Sequence, residues 1–109
     1  MKYQIVILQQ AELDLLELKN YIVKNFSLSS WQNSYTQIKK TIHSLKSFPQ
    51  AGKIPTELQE LNLTQYRQVF SGLNRIIYEL RQDLIYIHII CDTRKDMQNL
   101  LTRRLLQWL

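Results

Sequence analysis

The polar and apolar positions of this chain switch between a strand period and a helix period, and each switch marks an element. Tyr3-Gln-Ile-Val-Ile-Leu8 is a nearly continuous apolar run, the pattern of a covered strand, and Gln9-Gln10 ends it. From Ala11 the period is helical. Ala11, Leu15, Leu18, Ile22 and Phe26 form a stripe, with Glu12, Glu17, Lys19 and Lys24 on other faces and Glu12 and Asp14 suited to the positive end of the helix dipole. The polar break from Asn25 to Ser30 offers Ser27, Ser29 or Ser30 as the next cap. A second stripe then runs through Trp31, Tyr35, Ile38, Ile42 and Leu45. Phe48-Pro49-Gln50-Ala51-Gly52 stops it, because proline cannot continue a helix and disfavours helical geometry in the residue before it. So short a connection predicts an antiparallel helical hairpin laid on one face of a sheet.

The sheet itself reads from Leu63 to Asp92, after a loop or single helical turn over Lys53 to Asn62. Ile76, Tyr78 and Leu80 alternate with Arg75, Ile77 and Glu79, and turns fall at Ser71–Asn74 and Arg81–Asp83. Such tight connections demand antiparallel neighbours, hence a three-stranded meander. Its last strand, Leu84 to Cys91, is apolar or aromatic almost throughout, which predicts a central strand covered on both faces. Thr93-Arg94-Lys95-Asp96 reads as a capping box for a final helix. In that helix Met97, Leu101, Leu105 and Trp108 can face the sheet, whereas Leu100, Leu106 and Leu109 cannot all join them. The surplus apolar surface, flanked by Arg103 and Arg104, suits an acidic partner. The order is β-α-α-β-β-β-α. It defines one α+β domain over residues 1–109, a helical hairpin packed on a mostly antiparallel sheet.

Composition adds direction to this frame. With 109 residues and 45% hydrophobic content the chain supports one modest core, and a net charge of +5 with pI ≈ 9.5 favours acidic partners. Every arginine lies at or beyond Arg67, in the strands or the last helix, and arginine is the better group for bidentate recognition. The lysines of the first two helices read as solubilising charges. A single cysteine, no signal-peptide pattern and no apolar run near the roughly 20 residues of a membrane span place the protein in the cytoplasm. No His, Cys or carboxylate group falls at ligand spacing, so no metal or cofactor is expected. His43 lies off its stripe and reads as surface; His88 shares a strand face with Tyr86 and Ile90 and reads as a core histidine. Cys91 reads as a small buried hydrophobe and Gly72 as a turn residue. The remaining candidate is a basic corner, in which Arg67 and Arg75 are cross-strand neighbours beside the Ser71–Asn74 turn and Asp92, Arg94, Lys95 and Asp96 follow the last strand. In the alternative reading Asp92 and Asp96 only neutralise those arginines and cap the helix.

Phe48-Pro49-Gln50-Ala51-Gly52, Tyr66-Arg67, Asn74-Arg75-Ile76-Ile77-Tyr78, Asp92 to Gln98, and Arg103-Arg104-Leu105-Leu106 together resemble the RelE/ParE superfamily of type II toxin–antitoxin toxins, which includes plasmid stabilisation proteins. The resemblance spans nearly the whole chain. It implies a toxin neutralised by an acidic antitoxin, acting in one of two ways. ParE-like members trap DNA gyrase; RelE-like members are ribosome-dependent endonucleases that cut mRNA. Nuclease chemistry needs a base for the ribose 2′-hydroxyl, an acid for the leaving oxygen and cations for the developing charge. Arg67, Arg75, Arg94 and Lys95 would supply the cations. Asp92 stands where many members carry His, and an exposed carboxylate with pKa near 4 is a poor acid at neutral pH. The resemblance therefore implies a ParE-like inhibitor whose target surface is Arg67, Arg75, Asp92, Arg94 and Lys95, and whose antitoxin surface is Leu100, Arg103, Arg104, Leu106 and Trp108. The alternatives are the RelE-like nuclease, with ribosome and mRNA as partners, and a non-toxic basic interaction domain.

Overall fold

A computed structural model describes residues 2–93 and 96–108, with only the backbone of Met97 and residues 106–108. The elements are β1 (Gln4–Ile7), α1 (Gln9–Asn25), α2 (Leu28–Ser44), α3 (Thr56–Gln59), β2 (Tyr66–Ser71), β3 (Asn74–Arg81), β4 (Leu84–Asp92) and α4 (Met97–Trp108). The expected order therefore holds, with α3 as the single turn in the Lys53–Asn62 segment.

One four-stranded sheet forms in the order β1-β4-β3-β2. The meander is antiparallel, and β1 joins it parallel to β4, with Gln4 opposite Leu84 and Ile7 opposite Ile87. A parallel neighbour needs a crossover, and the α1–α2 hairpin supplies it. The first strand is thus an edge, with Ile5, Val6 and Ile7 only half-buried, rather than the covered strand its apolar run suggests. The central position falls to β4, as its composition predicts.

Both faces of β4 are covered. On one face Ile76, Tyr78, Ile85, Ile87 and Ile90 pack with Ala11 of α1 and Ile38 and Ile42 of α2. On the other, Tyr66, Ile77, Ile89 and Cys91 pack with Leu58 of α3 and Leu101 and Leu105 of α4. A strand between two apolar layers needs apolar residues at every position, which is why β4 reads as a continuous run.

The alternation of β4 breaks at one residue. Ile77 pairs with Ile89 but Tyr78 pairs with Ile87, so His88 is the extra residue of a β-bulge. Ile87 and Ile90 share the hairpin face, whereas His88 lies edge-on to Tyr66 in the layer beneath α4. His88 is indeed a core histidine, but the bulge separates it from Ile90.

Helix ends follow side-chain chemistry. Ser27 caps α2, its Oγ accepting from the Ser30 N–H at 3.0 Å. Phe26 is the C-cap of α1 and 70% exposed, so it leaves the stripe that its spacing suggests, and Tyr35 is half-open, stacked on Trp31. Asp96 Oδ1 accepts from the Asn99 N–H at 3.3 Å, so the cap of α4 is Asp96, three residues beyond the hydroxyl of the expected capping box.

Candidate functional site

Three polar nodes hold the fold, and they absorb much of the polar chemistry that the sequence offers. The first is Tyr78. Its buried hydroxyl donates to the Pro49 carbonyl at 2.8 Å and accepts from the Gly52 N–H at 3.0 Å, while Arg67 Nη1 donates to the Gly52 carbonyl at 2.7 Å. A Cβ on Gly52 would lie 2.5 Å from the Gln68 carbonyl oxygen and 2.8 Å from the Tyr78 hydroxyl, so only glycine fits. The separated sequence segments Phe48–Gly52, Arg67 and Asn74–Tyr78 thus meet at one structural lock.

The second node is Arg75, buried on the opposite face. Its guanidinium grips both carboxylate oxygens of Glu57 on α3 at 3.0 and 2.9 Å, and its Nε donates to Gln68 Oε1. That bidentate pair holds the Glu57 carboxyl below the ordinary carboxylate range, against a smaller opposing effect of burial. Register decides why Arg67 and Arg75 never meet. Arg67 lies opposite Tyr78 and Arg75 opposite Phe70, so they point to different faces and are not the cross-strand neighbours expected of a basic corner. Asp92 stands opposite Asn74 at the end of β4, and Arg75 opposite Cys91. Arg94 and Lys95 lie outside the described residues.

The third node closes the edge of β4. Since β1 stops at Ile7, β4 has no strand on its β1 side from His88 onward. Two side chains stand in for the missing strand: Asp14 of α1 accepts from the Ile90 N–H at 3.0 Å, and Arg104 of α4 donates to the His88 carbonyl at 2.7 Å. The same two residues pair bidentately with each other at 3.0 and 3.1 Å. Arg104 is therefore an internal strut, whereas Arg103 is exposed and Leu100 half-buried. The side chains of Leu106 and Trp108 lie outside the description. Sequence reasoning assigns Asp14 to the helix dipole and misses this role. Its spacing from Ala11 and Leu18 puts it on the inward face of α1, and a carboxylate there calls for a buried partner.

Beneath α4, Glu79 accepts from Arg81 at 2.7 Å and bonds His88 Nε2 at 3.0 Å, with both Glu79 and His88 buried. Burial pulls His88 below the ordinary histidine value, against the opposing pull of Glu79.

Beside the Asp14–Arg104 node runs a groove of ≈ 1410 Å³ between the helical hairpin, the β2–β3 turn and α4. Ile22 and Ile90 form part of its lining; Phe26, Phe70 and Leu73 stand exposed along it, at 70%, 55% and 67%. Its α2 wall is uncharged, with Ser30, Asn33, Ser34, Gln37 and Thr41. Exposed apolar surface thus lies on the hairpin and the β2–β3 turn, beyond the last helix where the sequence pattern puts it.

Residues 5–97 match the model of the ParE toxin of the type II toxin–antitoxin system, parDE. The fold matches a chain of the chromosomal ParDE toxin–antitoxin system from P. aeruginosa with a TM-score of 0.70, over 84% of this chain and 96% of that one, at 13% identity. Among curated proteins no sequence matches. A helical hairpin and a terminal helix enclosing a four-stranded sheet, with an open apolar groove at its side, make up the α+β fold of the RelE/ParE toxin superfamily. Within it, the chain belongs to the ParE toxin family of type II toxin–antitoxin systems. Membership implies an antitoxin partner. Among the described residues, no helix is long and apolar enough to cross a membrane.

Proposed function

We propose that this toxin arrests growth by binding DNA gyrase and that an acidic antitoxin segment neutralises it by folding into the groove. The family match over residues 5–97 carries the reading, since ParE-like members of the superfamily act on gyrase. The placement of the arginines supports it. Arg67 and Arg75, two of the four cations a nuclease reading would use, are spent on the Gly52 carbonyl and on Glu57, and His88 with Glu79 lies buried under α4. The groove supports the antitoxin half, because exposed Phe26, Phe70 and Leu73 suit a partly apolar segment that orders on contact; its acidic character is drawn from the whole chain's net charge of +5, since Asp14, Glu17, Asp92 and Asp96 line the groove as well as Arg103 and Arg104.

Purified toxin should inhibit supercoiling by gyrase, or raise cleaved DNA complexes, and leave mRNA on programmed ribosomes intact. Codon-dependent cuts in that mRNA would replace this reading with the RelE-like one. Co-expression of the neighbouring acidic protein should restore growth and give a complex on size exclusion; failure of both removes the antitoxin assignment.

A further inference from the structure

From Leu18 to Thr56 the chain carries six lysines and no aspartate or glutamate. Helical geometry sorts α2 into three faces. Trp31, Ile38, Ile42 and Leu45 face the core; the uncharged polar residues from Ser30 to Thr41 line the groove. The third face looks away from both. There Gln32, Thr36, Lys39, Lys40 and His43 recur at helical spacing, with Lys46 in the turn that follows, and all are exposed. Lys39 rests over the Tyr35 ring at 4.5 Å from its centroid, and that ring stacks on buried Trp31, which holds the ammonium in place. Among the described residues the ion pairs use Arg75, Arg81, His88 and Arg104, and these lysines join none of them.

We propose that the outer face of α2 binds the phosphate backbone of duplex DNA, without reading sequence. Lysine is depleted from the cores of protein interfaces, and the apolar groups on this face are Leu28 at the start of α2 and half-open Tyr35, whose ring Lys39 covers. Point-charge ammoniums interleaved with Gln and Thr are the groups that phosphates accept. Lys39 and Lys40 are held on a stiff helix and Lys46 follows in the turn that ends it, so the three charges succeed one another along one side of the hairpin, which suits the regular phosphate array of a duplex. A single strand would instead need open stacking platforms, and the Tyr35 ring is already stacked on Trp31 and covered by Lys39, which leaves this face the His43 imidazole. This surface is distinct from the groove, so the inference does not rest on the gyrase reading.

The test is fluorescence anisotropy with a labelled, sequence-scrambled duplex across a salt series. Lys39→Gln/Lys40→Gln/Lys46→Gln is compared with Lys2→Gln/Lys19→Gln/Lys24→Gln, which removes the same net charge elsewhere, and thermal melting checks both folds. The α2 triple should lower the slope of log affinity against log salt by about 2 to 3, at roughly 0.9 per lost phosphate contact, and weaken binding at least tenfold at low salt. The control triple should change affinity less than threefold. Equal losses in both triples would reduce the effect to net charge and overturn the proposal. So would no measurable duplex binding at low salt, or tighter binding to polyglutamate or to a single strand than to the duplex.

Discussion

Two glycines show how differently one residue type is used. Gly72, in the β2–β3 turn, has φ +58 and open space within 4 Å of where a methyl group would sit, so Gly72→Ala meets only the left-handed backbone cost of about 1 kcal/mol. Gly52→Ala instead drives a methyl into the Gln68 carbonyl and the Tyr78 hydroxyl. Its expected cost is about 3 kcal/mol, a fall in Tm of roughly ten degrees or more. Tyr78→Phe, which keeps the ring and removes both bonds to the Pro49–Gly52 loop, should cost about 1 to 3 kcal/mol. Melting curves on the three variants check the order, with Gly52→Ala the least stable and Gly72→Ala the most. A Gly52→Ala protein that melts with the parent would show that the loop is not locked to the sheet.

Among the elements, β4 and α4 depend on each other through Asp14 and Arg104. Removing one partner leaves the other charge largely buried and frees the β4 edge, so Asp14→Ala should cost about 3 kcal/mol and speed hydrogen exchange at the Ile90 amide. Arg104→Met/Asp14→Leu, which removes both charges, should recover part of that loss; a double variant no better than the single would deny the coupling. The sequence shows part of this arrangement and hides the rest. Strand and helix identity follow from periods strong enough to read, as in Ile76-Ile77-Tyr78 or Trp31–Leu45. Register does not, because Ile-His-Ile-Ile at residues 87–90 is apolar enough to satisfy two covered layers in either phase, and the bulge at His88 leaves no compositional trace. Arginine partners inherit that blindness: Arg67 and Arg75 differ by an even number, yet a turn lies between them, and pairing through the turn sends them to opposite faces. The groove is equally hidden, being made by where β1 stops.

For the whole molecule, two buried or half-buried groups set the response to acid. Unfolded His88 takes up a proton near pH 6.5, whereas folded His88, faced by Glu79, Tyr66, Arg81 and Arg104, takes it up only at lower pH. The unfolded state then binds more protons, so stability should fall as pH drops below about 6.5. Glu57 behaves likewise further down. Its folded value lies below 4.5, so its contribution with Arg75 is full above that pH and is lost as pH falls beneath it. Chemical denaturation across a pH series should show the first loss disappear in His88→Gln and the second in Glu57→Gln. Unchanged profiles would place the titrating groups elsewhere.

The parallel pairing of β1 with β4 also sets the order in which the toxin can come into being. The two strands meet across roughly three quarters of the chain, so Ile5 and Ile7 have no sheet to join until Leu84–Ile87 has been synthesised. Until then the helical hairpin has no sheet face completed by β4 to cover, and closing so long a loop is slow compared with forming the local hairpins. Antitoxin that recognises the finished groove, whose lining includes Ile90 and Leu100, consequently has nothing to grasp on a nascent chain that has not passed these residues. On the docking proposed above, neutralisation follows completion of the sheet rather than accompanying synthesis of the hairpin.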